Sequence, residues 1–296
     1  MFKGSIVALV TPFKDGKVDE DKMRELIEFQ IDSGTSGIVP CGTTGESPTL
    51  DHDEHNRVVD ICVDAVRKRV PVIAGTGSNS TAEAVALTRH AAEAGADGAL
   101  VVTPYYNKPT QKGLYLHFKA VADSVDIPII LYNIEGRTAR NIETATVAKL
   151  ARDCRNIVGV KEASGSLAQV KDVRKACGKK FTILSGDDAL TLPIMDIGGA
   201  GVISVVANIV PADVAAMINA YNERNKKTAE QMNAKLAPLV KAMFIETNPI
   251  PLKTAMGLLG LCSPELRLPL CEMEEENLDK LKAALQSYGL LKGQPV

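Results

Sequence analysis

No apolar run in this chain approaches the roughly 20 residues needed to span a bilayer, which excludes a membrane-spanning helix as a reading. The opening stretch, Met1-Phe-Lys-Gly-Ser-Ile-Val-Ala-Leu-Val10, is too short for a signal peptide and runs directly into Thr11-Pro12-Phe13, so it is expected to form a first strand. A surplus of charge of either sign is also missing. With a formal net charge of −2 the sequence gives no reason to expect nucleic acid or an anionic membrane as a partner. The six cysteines (Cys41, Cys62, Cys154, Cys177, Cys262, Cys271) include no C-x-x-C pair. That spacing argues against a zinc site or a disulfide framework and for free thiols in a reducing cytoplasm. Short repeats and low-complexity segments are absent. No glycine-rich phosphate fingerprint follows the first strand, where Leu9-Val-Thr-Pro-Phe13 stands instead. What the 296 residues do have is a hydrophobic content of 45%, enough for the core of one barrel-sized domain.

Short apolar runs alternate with amphipathic stretches along the chain. The runs 6–10, 37–40, 70–75, 98–102, 127–132, 157–161, 181–185 and 201–204 are expected to be strands. Helices are expected near 19–33, 51–66, 81–94, 111–124, 143–152, 167–177 and 212–224, with another between the last two strands. Gly34 reads as the C-cap of the first, and Ser80-Thr-Ala-Glu83 is a capping-box signature for the third. Eight β–α units of this spacing predict a (β/α)8 TIM barrel rather than a doubly wound sheet. Residues 1–225 would form the catalytic barrel. Residues 226–296, interrupted at Asn248-Pro-Ile-Pro251 and Ser263-Pro264, read as a C-terminal helical extension packed on it.

In such a barrel the chemistry belongs at the C-terminal ends of the strands. Lys161 ends the apolar run Ile157-Val-Gly-Val160, so its stem should lie in the interior and its amine at the mouth. Burial disfavours the ammonium form and makes the amine a usable nucleophile toward a carbonyl carbon. The alternative is a lysine that snorkels to solvent or pairs with a neighbouring carboxylate. Gly42-Thr43-Thr44-Gly45 can present backbone N–H groups and two hydroxyls to a carboxylate or phosphate, or be an ordinary turn. Tyr132 ends the adjacent strand, where a phenol could shuttle protons or merely pack. Arg137 offers a fork for a second carboxylate or a surface salt bridge. Asp187 and Asp188 are better read as helix caps than as metal ligands. His52 and His55, three apart on a helix, lack a third ligand and read as a solvated or pocket-lining face. A nucleophilic lysine, a proton-handling tyrosine and two anion sites together suggest Schiff-base chemistry on a 2-oxo acid, with no cofactor and no metal.

Gly42-Thr-Thr-Gly-Glu46, Val72-Ile-Ala-Gly-Thr-Gly77, Thr103-Pro-Tyr-Tyr-Asn107, Tyr132-Asn133, Gly159-Val-Lys-Glu-Ala163, Ser185-Gly-Asp-Asp188 and Asn248-Pro-Ile-Pro-Leu-Lys253 occur in this order. The set resembles the dihydrodipicolinate synthase/N-acetylneuraminate lyase family of class I aldolases over essentially the whole chain. The resemblance implies pyruvate as a Schiff base on Lys161, and Tyr132, Thr43 and Tyr106 as a proton relay in which Tyr106 reaches across from a neighbouring subunit. It further implies that Thr44 holds the pyruvate carboxylate, that Arg137 binds the carboxylate of an aspartate-semialdehyde acceptor, and that Gly186 and Ile203 line the pocket. Thr43 and Arg137 favour the synthase branch, which leads to diaminopimelate and lysine, over an aldolase or dehydratase of a 2-oxo sugar acid. Ser47, Pro48, His52, His55, Asn79, Glu83 and Tyr105 match the family's feedback site for lysine, or else form only a polar subunit interface. A cytoplasmic homotetramer, a dimer of tight dimers, is implied as well. One position departs from the pattern: Glu135 stands where the family usually has proline. A carboxylate there is expected to free a φ restraint and to compete for Arg137.

Overall fold

The computed structural model describes residues 2–291. Eight parallel strands alternate with helices: β1 (Gly4–Ala8), β2 (Gly37–Val39), β3 (Ile73–Gly75), β4 (Gly98–Val102), β5 (Ile129–Asn133), β6 (Ile157–Glu162), β7 (Thr182–Ser185) and β8 (Gly201–Ser204). The hydrogen-bonded order is β2-β1-β8-β7-β6-β5-β4-β3. The parallel bridge Ile38–Val72 closes β2 on β3, with the Ile38 N–H donating to Pro71 O at 3.0 Å. The result is a (β/α)8 barrel, with helices α1 (Glu20–Asp32), α2 (His52–Val66), α3 (Thr81–Ala94), α4 (Gln111–Ala122), α5 (Thr144–Asp153), α6 (Leu167–Cys177), α7 (Thr191–Asp196) and α8 (Pro211–Asn222) outside it. Three more helices follow, α9 (Lys226–Ala242), α10 (Ile250–Leu258) and α11 (Glu275–Tyr288). The last five residues of the expected extension, 292–296, lie outside the described residues.

Strand limits follow the supply of backbone N–H groups. Pro71 and Pro128 have none to give, and β3 and β5 begin two and one residues after them instead of at Val70 and Ile127. β1 ends at Ala8 because the N–H of Val10 turns aside to the Asn208 side chain, at 3.1 Å. Ser80 accepts from the Glu83 N–H, as its position before α3 predicts. Pro251 opens α10 rather than interrupting a longer helix, since an N-terminal turn has no need of its N–H. Inside the barrel, Ile6, Val39, Ile73, Leu100, Ile130 and Leu184 form an aliphatic plug, and larger apolar clusters fill the space between strands and helices.

His117 on α4 is buried against α3, where its Nδ1 meets Thr81 Oγ1 at 2.9 Å and its Nε2 has no partner among the described residues. Burial disfavours the imidazolium and pushes its pKa down to about 4. The unfolded chain therefore takes up a proton near pH 6.5 that the folded chain refuses until about pH 4. Stability should fall across that window as pH drops, by on the order of 3 kcal/mol in full. Urea unfolding at pH 7.5 and 4.5 checks this: His117→Gln should lose less stability on acidification than the wild type does.

Candidate active site

Tyr132 and Lys161 are direct register partners across β5 and β6, so both side chains leave the same face of the sheet and enter the barrel. Each is only 6% exposed, and Lys161 Nζ lies 4.2 Å from the centroid of the Tyr132 ring. The adjacent carboxylate does not serve as its partner. Glu162 accepts hydrogen bonds from Asn133 Nδ2, Ser164 N and Gln169 Nε2, a set of neutral donors on the outer face of the strand. The lysine thus ends in a small cavity of about 50 Å³, bordered also by Thr43, Thr44, Arg137, Gly186, Val205, Phe244 and Asn248. Glycine is required at 186 by space: a Cβ there would lie 3.0 Å from Lys161 Cε and 2.7 Å from Ala163 Cβ.

The turn after β2 leaves two backbone N–H donors without a partner among the described residues. The N–H groups of Gly45 and Ser47 bond to Gly42 O, and that of Glu46 bonds to Thr43 O. Those of Thr43 and Thr44 bond to nothing among the described residues, and both residues border the cavity. Beneath the turn lies a fully buried ion pair. Glu46, in the left-handed conformation at φ +52°, meets Lys253 Nζ at 2.6 Å. Lys253 also donates to Thr11 O at 3.0 Å, and the second oxygen of Glu46 accepts from Arg267 N at 3.1 Å. Phe13 lies within reach of both cations, with Lys253 Nζ 4.2 Å and the Arg267 guanidinium 4.3 Å from its ring centroid. Burial lowers the pKa of Lys253, and the Glu46 carboxylate opposes that shift.

Arg137 rides on a single helical turn, Glu135–Thr138, which the sequence reading did not anticipate. Its Nη2 donates to the backbone oxygen of Asn248 at 3.1 Å. Glu135 makes no ion pair with Arg137 among the described residues, so the expected pairing is not formed here. The glutamate occupies the first position of the turn, where an acidic side chain suits the helix dipole and a proline would suit the backbone equally well.

A second compartment of about 400 Å³ shares Gly42, Thr43, Tyr132 and Arg137 with the first and extends to Ser47, Pro48, His52, His55, Glu83 and Tyr105. Hydrogen bonds from Ser78 and then His52 hold the Glu83 carboxyl below the usual carboxylate range. His55 Nε2 bonds to Gly75 O at 2.8 Å, and burial lowers its pKa. Burial and the nearby Glu83 charge raise the Tyr105 phenol. Asn79 borders neither compartment; its carbonyl accepts from Asn107 Nδ2 at 2.8 Å.

Four other singled-out residues stand away from the Lys161 cavity. Asp187 accepts from the Ala189 N–H as a cap. Asp188 is buried and accepts from Ser204 Oγ and from the N–H groups of Val205 and Val206. Tyr106 is 89% exposed, at φ +70°, and borders neither compartment. Ile203 belongs to the aliphatic plug beneath the cavity, and Val205, two residues on, borders it instead. Phe244 and Asn248 reach the cavity from the segment between α9 and α10, far from any strand end. The only sequence mark of that wall is an asparagine beside the proline pair of Asn248-Pro-Ile-Pro251.

The Dihydrodipicolinate synthetase family matches over residues 1–288. The 4-hydroxy-tetrahydrodipicolinate synthase of Syntrophus aciditrophicus is 62% identical over 291 residues, covering 98% of this chain and 100% of the relative. Among solved structures, dihydrodipicolinate synthase from Aquifex aeolicus superposes with a TM-score of 0.96 at 54% identity, over 98% of this chain and 99% of the other. The enzyme from Cyanidioschyzon merolae with lysine bound gives 0.95 at 42% identity, over 98% and 99%. This chain belongs to the dihydrodipicolinate synthetase family.

Proposed function

We propose that the protein condenses pyruvate with L-aspartate-4-semialdehyde to give 4-hydroxy-tetrahydrodipicolinate. The observation that carries this reading is the buried Lys161 amine, without a carboxylate partner among the described residues and 4.2 Å from the centre of the Tyr132 ring, in a cavity that Thr43 and Thr44 also line. The amine adds to the pyruvate ketone, and loss of water leaves an iminium. Removal of a methyl proton gives the enamine, whose carbon attacks the aldehyde of the second substrate. The amino group of that substrate then displaces Lys161 from the former ketone carbon and closes a six-membered ring.

In this reading Thr44, with the Thr43 and Thr44 N–H groups, holds the pyruvate carboxylate, and Arg137 binds the acceptor's carboxylate as a planar fork. Tyr132 and Thr43 move protons. Tyr106, exposed in the single chain, completes the relay from a second subunit of a homotetramer; Gly186 lines the pocket, and Ile203 acts on it only from the layer beneath. The larger compartment is the site for lysine as inhibitor. Its support is the ionised Glu83 among the lining residues and the lysine bound by the structural neighbour from C. merolae. Residues 1–225 act as the catalytic barrel and 226–296 as the extension closing one side of it, in the cytoplasm. Borohydride reduction in the presence of pyruvate tests the core of this reading. It should attach one reduced pyruvate to Lys161 and stop turnover, and an unmodified Lys161 peptide would refute the Schiff base.

A further inference from the structure

Asn248 touches both parts of the cavity that the reading above assigns to carboxylates. Its Nδ2 donates to Thr44 Oγ1 at 3.0 Å, and its backbone oxygen accepts from Arg137 Nη2 at 3.1 Å. It comes from the chain 204 residues beyond Thr44 and 111 beyond Arg137, so no local turn explains either contact. The residue is 4% exposed, and its Oδ1 has no partner among the described residues. Buried polar atoms are nearly always satisfied, and an exception beside a reactive lysine is where function is expected to hold the residue in place.

We propose that Asn248 is a positioning residue that sets the two carboxylate anchors, Thr44 and Arg137, at one fixed separation. This deepens the proposed condensation and rests on it. A hydroxyl has one hydrogen and two lone pairs. Because the Asn248 amide donates to Thr44 Oγ1, the Thr44 hydrogen is left free for a bound carboxylate beside the Thr43 and Thr44 N–H groups. The backbone contact restrains the long Arg137 side chain, so that less freedom is lost when the second carboxylate binds. One residue thereby orients both substrates relative to the enamine carbon without touching the bonds that change.

The test compares Asn248→Ala and Asn248→Asp with the wild type by steady-state kinetics, borohydride trapping and thermal unfolding. Asn248→Ala should raise KM for both substrates by about tenfold, as expected for loss of an anchoring hydrogen bond to a charged-ligand site, with kcat changed by less than about threefold. Asn248→Asp keeps the volume but places a carboxylate beside the pyruvate anchor, and should raise the pyruvate KM further than alanine does. A residue that only packs would show the reverse order, the isosteric aspartate being the milder change, and that order would overturn the proposal. So would a loss confined to kcat, or KM values within about twofold of the wild type for both variants. If Asn248→Ala does not fold, Asn248→Ser, whose short side chain cannot span the contact to Thr44 Oγ1, takes its place and should raise both KM values; values within about twofold of the wild type would again overturn the proposal. Trapping of pyruvate by wild type together with unaffected variants sinks only the role of Asn248, whereas failure of the wild type to trap pyruvate sinks the underlying condensation as well.

Discussion

Lys161→Met should reduce turnover by about a thousandfold or more, the scale on which removal of a covalent nucleophile acts. Methionine fills the same space beneath Tyr132 and leaves an apolar interior, so the unfolding transition should stay close to that of the wild type. Lys161→Arg is the more discriminating variant. It places a permanent positive charge at the same buried position but offers no amine that can form an imine. If Lys161 worked by charge alone, attracting pyruvate and polarising its ketone, the arginine variant would keep a substantial part of the activity. The covalent role predicts that both variants are equally inactive and that neither is labelled by borohydride with pyruvate. Activity of Lys161→Arg within about tenfold of the wild type would end that assignment.

The second large effect is on stability. Glu46 and Lys253 are both fully buried and meet at 2.6 Å. Removing one partner of such a pair leaves an uncompensated interior charge, which typically costs about 3–5 kcal/mol. Glu46→Ala should lose stability on that scale in urea unfolding, because Lys253 would retain only Thr11 O and the Phe13 ring. The double variant Glu46→Leu with Lys253→Met should recover much of the loss, since an apolar pair of similar volume needs no desolvation of charge. A double variant as unstable as the sum of the two single variants would mean that the two side chains are not coupled at all, and would end this account. Because Glu46 also ends the turn that presents Thr43 and Thr44, Glu46→Ala should raise the pyruvate KM even where the protein remains folded.

Much of this was legible in the chain, for physical reasons that also explain what was not. The eight strands announced themselves because strands buried on both faces must be continuously apolar, and their helices because one face must be. Lys161 stood out by the same logic, as a charge where the pattern demands none. Strand limits moved by a residue or more where proline withheld an N–H, as at Pro71 and Pro128. The wall formed by Phe244 and Asn248 left only the Asn248-Pro-Ile-Pro251 mark in the sequence, with nothing to place it at the cavity. Its contacts with Thr44 and Arg137 join segments 204 and 111 residues apart, and no local periodicity encodes such a meeting. The Glu135–Arg137 ion pair did not form for a complementary reason. Nearness in sequence suggested a pair, but a helical turn places residues two apart on different sides.

The separation of Glu46 from Lys253 by 207 residues bears on how the protein is made. A ribosome delivers the chain from its N-terminal end, and Lys253, Asn248 and Arg267 emerge only after all eight strands have been synthesised. Until then the Glu46 carboxylate has no Lys253 to meet, and burying it alone is costly. A nascent chain arrested before residue 248 would hold Lys161, the proposed nucleophile, and yet lack Asn248, the proposed positioning residue. Competence to react would then arrive late in translation, as the last wall of the site folds into place.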